Sequence, residues 1–520
     1  MLQNPVLDLS RQGDYFWALL PEIFLAAWAM LVLLVDVFQK GNRSEPSRPT
    51  IPILSLVGLA ITAVLNGVVL LPLHAGPGPA WVAVDGFRVY TNFILLAAAA
   101  LSLAMSVGYL DRKGINRGEF HALVLFATLG MMLMAGARDL MMIFIGLEVM
   151  SVAIYVLVGF DRLDERAVEG SLKYFLLGAF SSAFFLYGIA LTWGAIGTTD
   201  IPQIAAQLKG GAVDRSPMLL GGMALLMVGF GFKVAAMPFH MWTPDAYEGA
   251  PTPVTSLMST GVKAAAFASF IRVFMVGFEG VQESWMNVLF WLALLTMVAA
   301  NLIAMTQGSI KRMLAYSSIA HAGYLLVALM SGRAAGASAF LFYLLVYTLM
   351  TAGAFAVLLA NSRGGDERVT LEEWSGFARQ KPLLAALFSI FLLSLAGFPL
   401  TAGFLGKLYI LQAALEAHQT VLAVALVLSS LVSYFYYLRI IVVMYMRPAR
   451  SDDEHAAAHL PGPAAFATGI AAALVVLLFF AGGLPLRWAD RSAVELLNPG
   501  ATATSPAQSP PAPGAVARVP

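Results

Sequence analysis

Long apolar runs, separated by short polar stretches, occupy almost the whole chain. About 20 apolar residues are enough to cross the hydrocarbon core of a bilayer as a helix. The runs are continuous rather than alternating over about 10 residues, so they predict membrane helices and not an outer-membrane barrel. We number fourteen predicted spans in chain order, at residues 15–38, 51–73, 89–109, 119–137, 139–160, 168–196, 218–238, 254–278, 284–306, 312–331, 337–360, 382–416, 421–446 and 463–483.

The composition supports a membrane protein and excludes several other classes. Of the 520 residues, 59% are hydrophobic and only 12% are charged, whereas a soluble domain has about 25% charged residues. A soluble protein of this composition would expose large apolar patches. Soluble enzymes, nucleic-acid-binding proteins and disordered scaffolds are therefore excluded, and an all-α polytopic membrane protein with the lipid bilayer as its partner is predicted.

Span 12, at 382–416, is too long for one ordinary crossing. Pro399 lies in its middle, between Gly397 and Gly403. One helix broken within the membrane fits this pattern, and two crossings of about 17 residues are the alternative.

The Lys and Arg residues of the connections favour the broken helix. Connections after odd-numbered spans carry sixteen of these residues, and the opposite side carries nine. Because the cytoplasmic side is the more basic one, both termini are predicted outside the cytoplasm. A split of span 12 would place Arg447 and Arg450 outside the cytoplasm, which the same rule disfavours.

A second broken helix is predicted in span 7, where Gly229, Gly231 and Pro238 surround Lys233. Interrupted helices at corresponding places in two halves are typical of inverted-repeat transporters. Spans 4–8 and 9–13 would form two inverted five-helix repeats, each broken in its fourth helix near 229–238 and 397–403. The predicted divisions are 1–118 (spans 1–3), 119–278 (first repeat), 284–446 (second repeat), 463–483 (span 14) and a Pro- and Ala-rich disordered tail at 498–520.

Seven charged side chains fall inside the spans. A charge at the bilayer centre costs on the order of 3 kcal/mol on insertion scales, so function is the default explanation for such a residue. Three of them lie near span ends, where long side chains reach the interface: Lys173, Arg272 and Arg439. Four lie near mid-membrane: Glu148, Lys233, Lys263 and Lys407.

Three lysines and one glutamate at this depth suggest a chain of proton sites. Burial favours the neutral form of a lysine, and a nearby carboxylate favours the charged form, so a lysine between these limits can take up and release a proton. A structural ion pair is the alternative for Glu148. His321 titrates near neutrality without such tuning, and a buried core histidine is its alternative. Ser317, Ser318, Tyr316 and Tyr324 around it could hold water.

No redox or metal centre is indicated. The chain has no cysteine, which excludes disulfides, cysteine-bound zinc, iron–sulfur clusters and covalent haem. His455 and His459 are four residues apart, but their acidic, Ala-rich surroundings favour a solvated loop. The sequences GFGFK and TAGFLGKL lack the complete glycine patterns of nucleotide-binding motifs, so no cofactor or metal is expected in this chain.

Three stretches carry a resemblance to a known family. They are FKVAAMPFHMWTPDAYEGAPTPVTSLMSTGVKAAAF, RMLAYSSIAHAGYLL and LAGFPLTAGFLGKLYILQAAL. They resemble the proton-conducting membrane subunits of respiratory complex I and the Mrp-type cation/proton antiporters, over roughly residues 90–450. YEGAP and STGVKAA stand where the L- and M-type subunits show other residues, as in the N-type subunits of the family.

This resemblance implies a function and roles for five residues. It implies a membrane-arm subunit of a NADH:quinone oxidoreductase, with proton translocation through Glu148, Lys233, Lys263, Lys407 and His321. NADH, FMN, iron–sulfur clusters and quinone would be bound in or between other subunits. The implied neighbours are subunits K and M and the lateral helix of subunit L. An Mrp-type antiporter subunit and a non-pumping structural subunit are the alternatives.

Overall fold

The computed structural model describes residues 12–39, 50–73, 81–210, 216–363, 366–448 and 462–497. The tail at 498–520, His455 and His459, and several of the counted Lys and Arg residues lie outside these ranges. The described part is all-α apart from one short hairpin, in which Ser362–Arg363 pairs with Asp366–Glu367. The predicted fold class is confirmed.

Helices occupy all fourteen predicted spans. Thirteen described helices are long and apolar enough to cross a membrane, and span 12 consists of two shorter helices. The helices of the spans, in order, are Leu20–Gln39, Thr50–Leu65 continued to Leu73, Gly86–Ser106, Gly118–Gly136, Leu140–Val158, Glu165–Ile196, Pro217–Val234, Thr252–Leu257 continued to Gly277, Gln282–Met305, Ile310–Met330, Arg333–Ala360, Pro382–Ala396 with Ala402–Glu416, Thr420–Met446 and Gly462–Ala481.

Shorter helices lie at the ends of the spans. The α-helical ones are Gln12–Ala18, Leu71–Leu73, Tyr109–Lys113, Ile201–Lys209, Thr243–Gly249, Phe377–Gln380 and Gly483–Leu497. The 3₁₀ turns are Glu279–Val281 and Leu371–Trp374. Sequence reasoning missed Gly483–Leu497, which packs Trp488 on the ring of Tyr90 and accepts the Gly86 N–H on Glu495 at 2.6 Å.

Span 8 is buried along its whole length and is wound unevenly. Its α-helical parts, Thr252–Leu257 and Lys263–Ile271, are separated and followed by the π-helical turns Met258–Val262 and Arg272–Gly277. Span 2 contains a third π-helical turn at Asn66–Leu70. Such turns are frequent at functional sites, and the first one in span 8 directly precedes Lys263.

Both predicted breaks are present. Span 12 is interrupted between Ala396 and Ala402, as Pro399 predicted. Span 7 continues through Gly229 and Gly231 to Val234 and resumes at Thr243.

The glycines of span 7 therefore serve close packing rather than the break itself. A Cβ at Gly229 would lie 2.6 Å from the Phe185 ring, and one at Gly231 would lie 2.8 Å from the Phe239 ring. The helix ends at Ala235, whose φ of 60° is left-handed.

The connections meet at two separate ends of the molecule. At one end, a backbone bridge joins Ser309 to Thr370, after spans 9 and 11. At the other, bridges join Val82 to Ala137 and Asp139 to Asp200, after spans 2, 4 and 6. We call these the odd end and the even end. Their separation agrees with a chain that crosses the membrane fourteen times.

Candidate functional site

Lys233 lies in the last turn of the first half of span 7 and is buried. Its Nζ donates to the Ser151 hydroxyl at 2.8 Å and to the Tyr155 hydroxyl at 3.3 Å, both on span 5. The ring centroids of Tyr155 and Tyr174 are each 5.3 Å from Nζ. The ammonium group is thus held by neutral hydroxyls and aromatic faces.

Glu148 is half-buried on span 5, about one turn from Ser151. Its carboxylate accepts a hydrogen bond from Ser182 of span 6 at 2.5 Å. Lys233 forms no salt bridge with this carboxylate and donates instead to Ser151 and Tyr155 of span 5. Lys233, on span 7, thus contacts the helix that carries Glu148.

Lys263 is buried at the centre of span 8. Its Nζ donates to the backbone carbonyl of Ser318 at 2.7 Å and to the Ser318 hydroxyl at 2.5 Å. Tyr347 of span 11 donates to the same hydroxyl at 2.8 Å. Ser318 therefore joins the lysine of the first predicted repeat to two helices of the second.

His321 follows Ser318 by about one turn of span 10 and is also buried. Its Nδ1 bonds the Tyr343 hydroxyl at 2.5 Å, and its Nε2 lies 3.3 Å from the Tyr437 hydroxyl. Tyr437 in turn bonds Ser317. A satisfied core histidine would show such bonds, but here both partners are hydroxyls that can themselves pass a proton.

Lys407 is buried in the second half of span 12, and its side chain reaches across the break to the end of the first half. Its Nζ donates to the carbonyls of Leu395 and Ala396 at 2.9 Å each. These carbonyls end the first half-helix, so the ammonium group compensates the negative end of its dipole. Nζ also lies 4.9 Å from the ring centroid of Tyr324, and that ring is 5.3 Å from the His321 ring.

The structure thus arranges the five predicted residues as one row of three and one pair. The row consists of Lys263, His321 and Lys407, with Ser318 and Tyr324 between them. The pair is Lys233 and Glu148, in the first predicted repeat. Sequence reasoning missed Tyr343, Tyr347 and Tyr437, whose hydroxyls complete the row. Their only signal in the sequence is a hydroxyl inside an apolar span, and it does not reveal which span each one faces.

The three charged residues predicted near span ends differ in their exposure and in their ion pairs. Lys173 is 44% exposed and pairs with Glu169 at 2.5 Å and Asp245 at 2.8 Å. Arg272 is buried and pairs with Asp85 at 2.7 Å. Arg439 is exposed near the end of span 13. These contacts anchor helix ends and do not join the row of buried lysines.

A polar cavity of about 230 Å³ lies at the odd end. It is lined by residues that follow five different odd-numbered spans, among them Tyr109, Asp161, Glu248, Lys311 and Glu367. Lys311 is 2% exposed, and its Nζ contacts the Glu367 carboxylate at 2.7 Å. Sequence reasoning treated Lys311 only as a connection charge and did not single out Glu367.

The environment of Glu367 keeps its carboxylate charged. Burial by itself would raise the pKa of Glu367, but the charge of Lys311 and hydrogen bonds from Lys311, Thr252 and Tyr109 hold that pKa below its ordinary value. Glu367 and Lys311 therefore form a compensated pair, unlike the lysines at mid-membrane.

Comparison with known proteins identifies the family. The profile described as "NADH:quinone oxidoreductase/Mrp antiporter, TM" matches residues 137–433, which include all five predicted site residues. The chain belongs to this family. Within it, the chain resembles NADH-quinone oxidoreductase subunit N, the name carried by relatives of similar length, as predicted.

Two relatives show how far this similarity extends. Subunit N of Trichlorobacter lovleyi is 44% identical over 455 residues, which cover 88% of this chain and 92% of the relative. Subunit N of Gemmatimonas aurantiaca is 44% identical over 517 residues, with 97% of each chain covered.

Solved structures agree on the fold. A chain of respiratory complex I from Thermus thermophilus is 36% identical and superposes with a TM-score of 0.74, over 90% of this chain and 98% of that one. A chain of the Mrp complex from Dietzia superposes with a TM-score of 0.81 at 22% identity, over 94% and 98% of the two chains. At that identity, the second likeness concerns the fold alone.

Proposed function

We propose that this chain is a proton-translocating membrane-arm subunit of a NADH:quinone oxidoreductase, driven by quinone reduction elsewhere in the complex. The observation that carries the proposal is the set of three buried lysines, Lys233, Lys263 and Lys407, whose ammonium groups are bonded to neutral oxygens. A lysine in such surroundings gives up its proton more readily than one paired with a carboxylate.

Proton uptake would begin at the odd end, which the Lys and Arg distribution assigns to the cytoplasm. From the cavity, the hydroxyls of Thr252, Ser256 and Ser259 follow one face of span 8 towards Lys263, about one turn apart. Those of Thr252 and Ser256 are buried and make no hydrogen bond within the described part of the chain. Buried polar groups of this kind are usually satisfied by water, which would carry the proton inward.

From Lys263 the proton would pass through Ser318 and His321 to Lys407. Lys407 would be the last site before the periplasm, because it lies beside the broken part of span 12, where backbone groups need a polar surrounding. Each proton released against the membrane potential costs about 2.3 kcal/mol per 100 mV. A lysine that readily becomes neutral would avoid trapping the proton on this step.

The half-exposed position of Glu148 supports a neighbouring subunit on that side. Ile145 and Val152, about one turn before and after it on span 5, are exposed. Lipid cannot satisfy a carboxylate at this depth. We propose subunit K as the neighbour on this face, with subunit M and the lateral helix of subunit L contacting other faces.

The redox chemistry would belong to other subunits. Without cysteine, this chain cannot ligate an iron–sulfur cluster in the usual way, and we place NADH, FMN and quinone outside it. The two five-helix repeats, the inner membrane location and the periplasmic termini are part of the same proposal. Reporter fusions after residues 375 and 497 should report cytoplasm and periplasm, respectively, and the opposite result would overturn this topology.

Mutation of the pair in the first predicted repeat tests the proposal. Lys233→Ala and Glu148→Ala should each lower proton pumping and quinone reductase activity in membrane vesicles several-fold, with assembly largely intact. Lys173→Ala, which removes an exposed and ion-paired lysine, is the matched control and should leave pumping unchanged. Normal pumping in an assembled Lys233→Ala/Glu148→Ala double variant would overturn the role of this pair.

A further inference from the structure

The Glu367 carboxylate connects three separate elements at the odd end. It accepts hydrogen bonds from the Tyr109 hydroxyl at 2.7 Å and from the Thr252 backbone N–H at 3.1 Å. It also accepts one from Lys311 Nζ at 2.7 Å. Tyr109 follows span 3, Thr252 begins span 8, and Lys311 lies in the first turn of span 10. With its side chain 12% exposed, Glu367 is a largely buried junction at the border of the cavity.

Two of these elements meet again deeper in the molecule. Span 8 continues from Thr252 to Lys263, and span 10 continues from Lys311 to Ser318, about two turns further on. At that depth, Lys263 Nζ donates to the carbonyl and hydroxyl of Ser318. The contact at Glu367 and the contact at Ser318 therefore hold the same two helices at two levels.

The chemistry at the two helix starts favours an anion at this point. The first N–H groups of a helix have no partner within it, and a carboxylate there is favourable. Lys311 places a positive charge in the first turn of span 10, where the helix dipole opposes it. Glu367 satisfies one N–H of span 8 and compensates the charge on span 10, and Lys311 also bonds the carbonyl of Ala250 at 2.7 Å.

We propose that Glu367 is a positioning residue of the proton path, which fixes the starts of spans 8 and 10 and thereby the contact between Lys263 and Ser318. The inference rests on the proposed function. Glu367 would act as a permanently charged anchor and not as a carrier, because protonation would weaken all three hydrogen bonds that it accepts. Besides Lys311 and Tyr109, the cavity presents Lys113, Asp161 and Glu248 to this junction.

The test uses membrane vesicles that contain the whole complex, and measures protons pumped per NADH oxidised, normalised to assembled complex. Glu367→Gln keeps the shape of the side chain but leaves Lys311 without its anion. Glu367→Gln/Lys311→Gln removes both charges together. Glu372→Gln, an exposed carboxylate in the same connection, is the matched control, and Lys263→Ala reports on the proton path itself.

Glu367→Gln should lower the pumping ratio several-fold in assembled complex, the double variant should regain most of it, and Glu372→Gln should equal the unmodified protein. A purely stabilising role would change the amount of complex and leave the ratio intact, which would overturn the inference. A double variant as low as the single one would also overturn it, since the carboxylate would then be needed as a carrier.

Three further outcomes keep the test of the positioning role separate from the test of the proposed function. If none of the Glu367 variants assembles, Glu367→Asp included, the residue serves stability alone and the inference fails. If Lys263→Ala loses pumping while Glu367→Gln pumps normally, only the positioning role is wrong. If Lys263→Ala itself pumps normally, the proposed function is wrong.

Discussion

Lys311 at the odd end and Lys263 at mid-membrane are both almost completely buried, yet their surroundings differ. Lys311 Nζ contacts a carboxylate at 2.7 Å, whereas the hydrogen bonds of Lys263 Nζ within the described part of the chain go to the two oxygens of Ser318. A paired charge is held in place, and an ammonium group among neutral oxygens is free to lose its proton at a smaller cost. The proposed function therefore separates these two lysines by the charge beside each one and not by their burial.

The largest expected effect is on assembly, and it falls on the paired lysine. Lys311→Ala leaves the Glu367 carboxylate buried without its cation, and breaking a buried pair in this way typically costs about 3–5 kcal/mol. Lys263→Ala leaves no charge behind. We expect a smaller amount of assembled complex on native gels for Lys311→Ala than for Lys263→Ala. Equal amounts for the two variants would contradict the distinction between them.

A smaller effect is expected at Lys407, where the charge compensates the end of a half-helix. Lys407→Ala should pump less well than Lys407→Glu, because glutamate keeps a titratable group beside the break. Proton pumping by vesicles at matched complex content is the measurement. An alanine variant that pumps as well as the glutamate variant would remove Lys407 from the path.

The smallest effect concerns acid pH. Because the pKa of Glu367 is held below its ordinary value by Lys311 and by hydrogen bonds, despite burial, its contribution to stability is present above the ordinary glutamate pKa of about 4.3. That contribution is lost as the pH falls through the lowered value. Thermal inactivation of the purified complex should therefore accelerate below about pH 4.3 less in Glu367→Gln/Lys311→Gln than in the unmodified protein. Parallel pH profiles would contradict this linkage.

Much of the fold follows from local patterns in the sequence. The spans are continuous apolar runs, and the break in span 12 follows from Pro399, which cannot continue a helix without losing a hydrogen bond. The break in span 7 was predicted around Lys233, and it starts just after that residue, at Ala235. Gly229 and Gly231 instead pack against the rings of Phe185 and Phe239. Such packing is a tertiary property that no local pattern contains.

The candidate site, like the fold, has residues that the sequence predicted and residues that only the folded chain reveals. Lys263 and Lys407 stand out because a charge within an apolar run is rare and costly. The pair of Lys311 and Glu367 does not, because each residue lies among other charges in a connection, and only the folded chain brings them to 2.7 Å. The tyrosines around His321 were missed for a related reason, since hydroxyls from spans 11 and 13 converge on it through long-range packing.

The most direct test of the central claim replaces Lys263 by alanine, arginine and histidine in the assembled complex and measures NADH-driven proton pumping. Arginine keeps a positive charge but stays protonated under nearly all conditions, and histidine can exchange a proton. If Lys263 carries protons, alanine should be the most harmful, arginine should retain the complex but pump poorly, and histidine should retain the most pumping. Equal pumping by all three variants would show that Lys263 only fills space, and would contradict the proton path proposed for this chain.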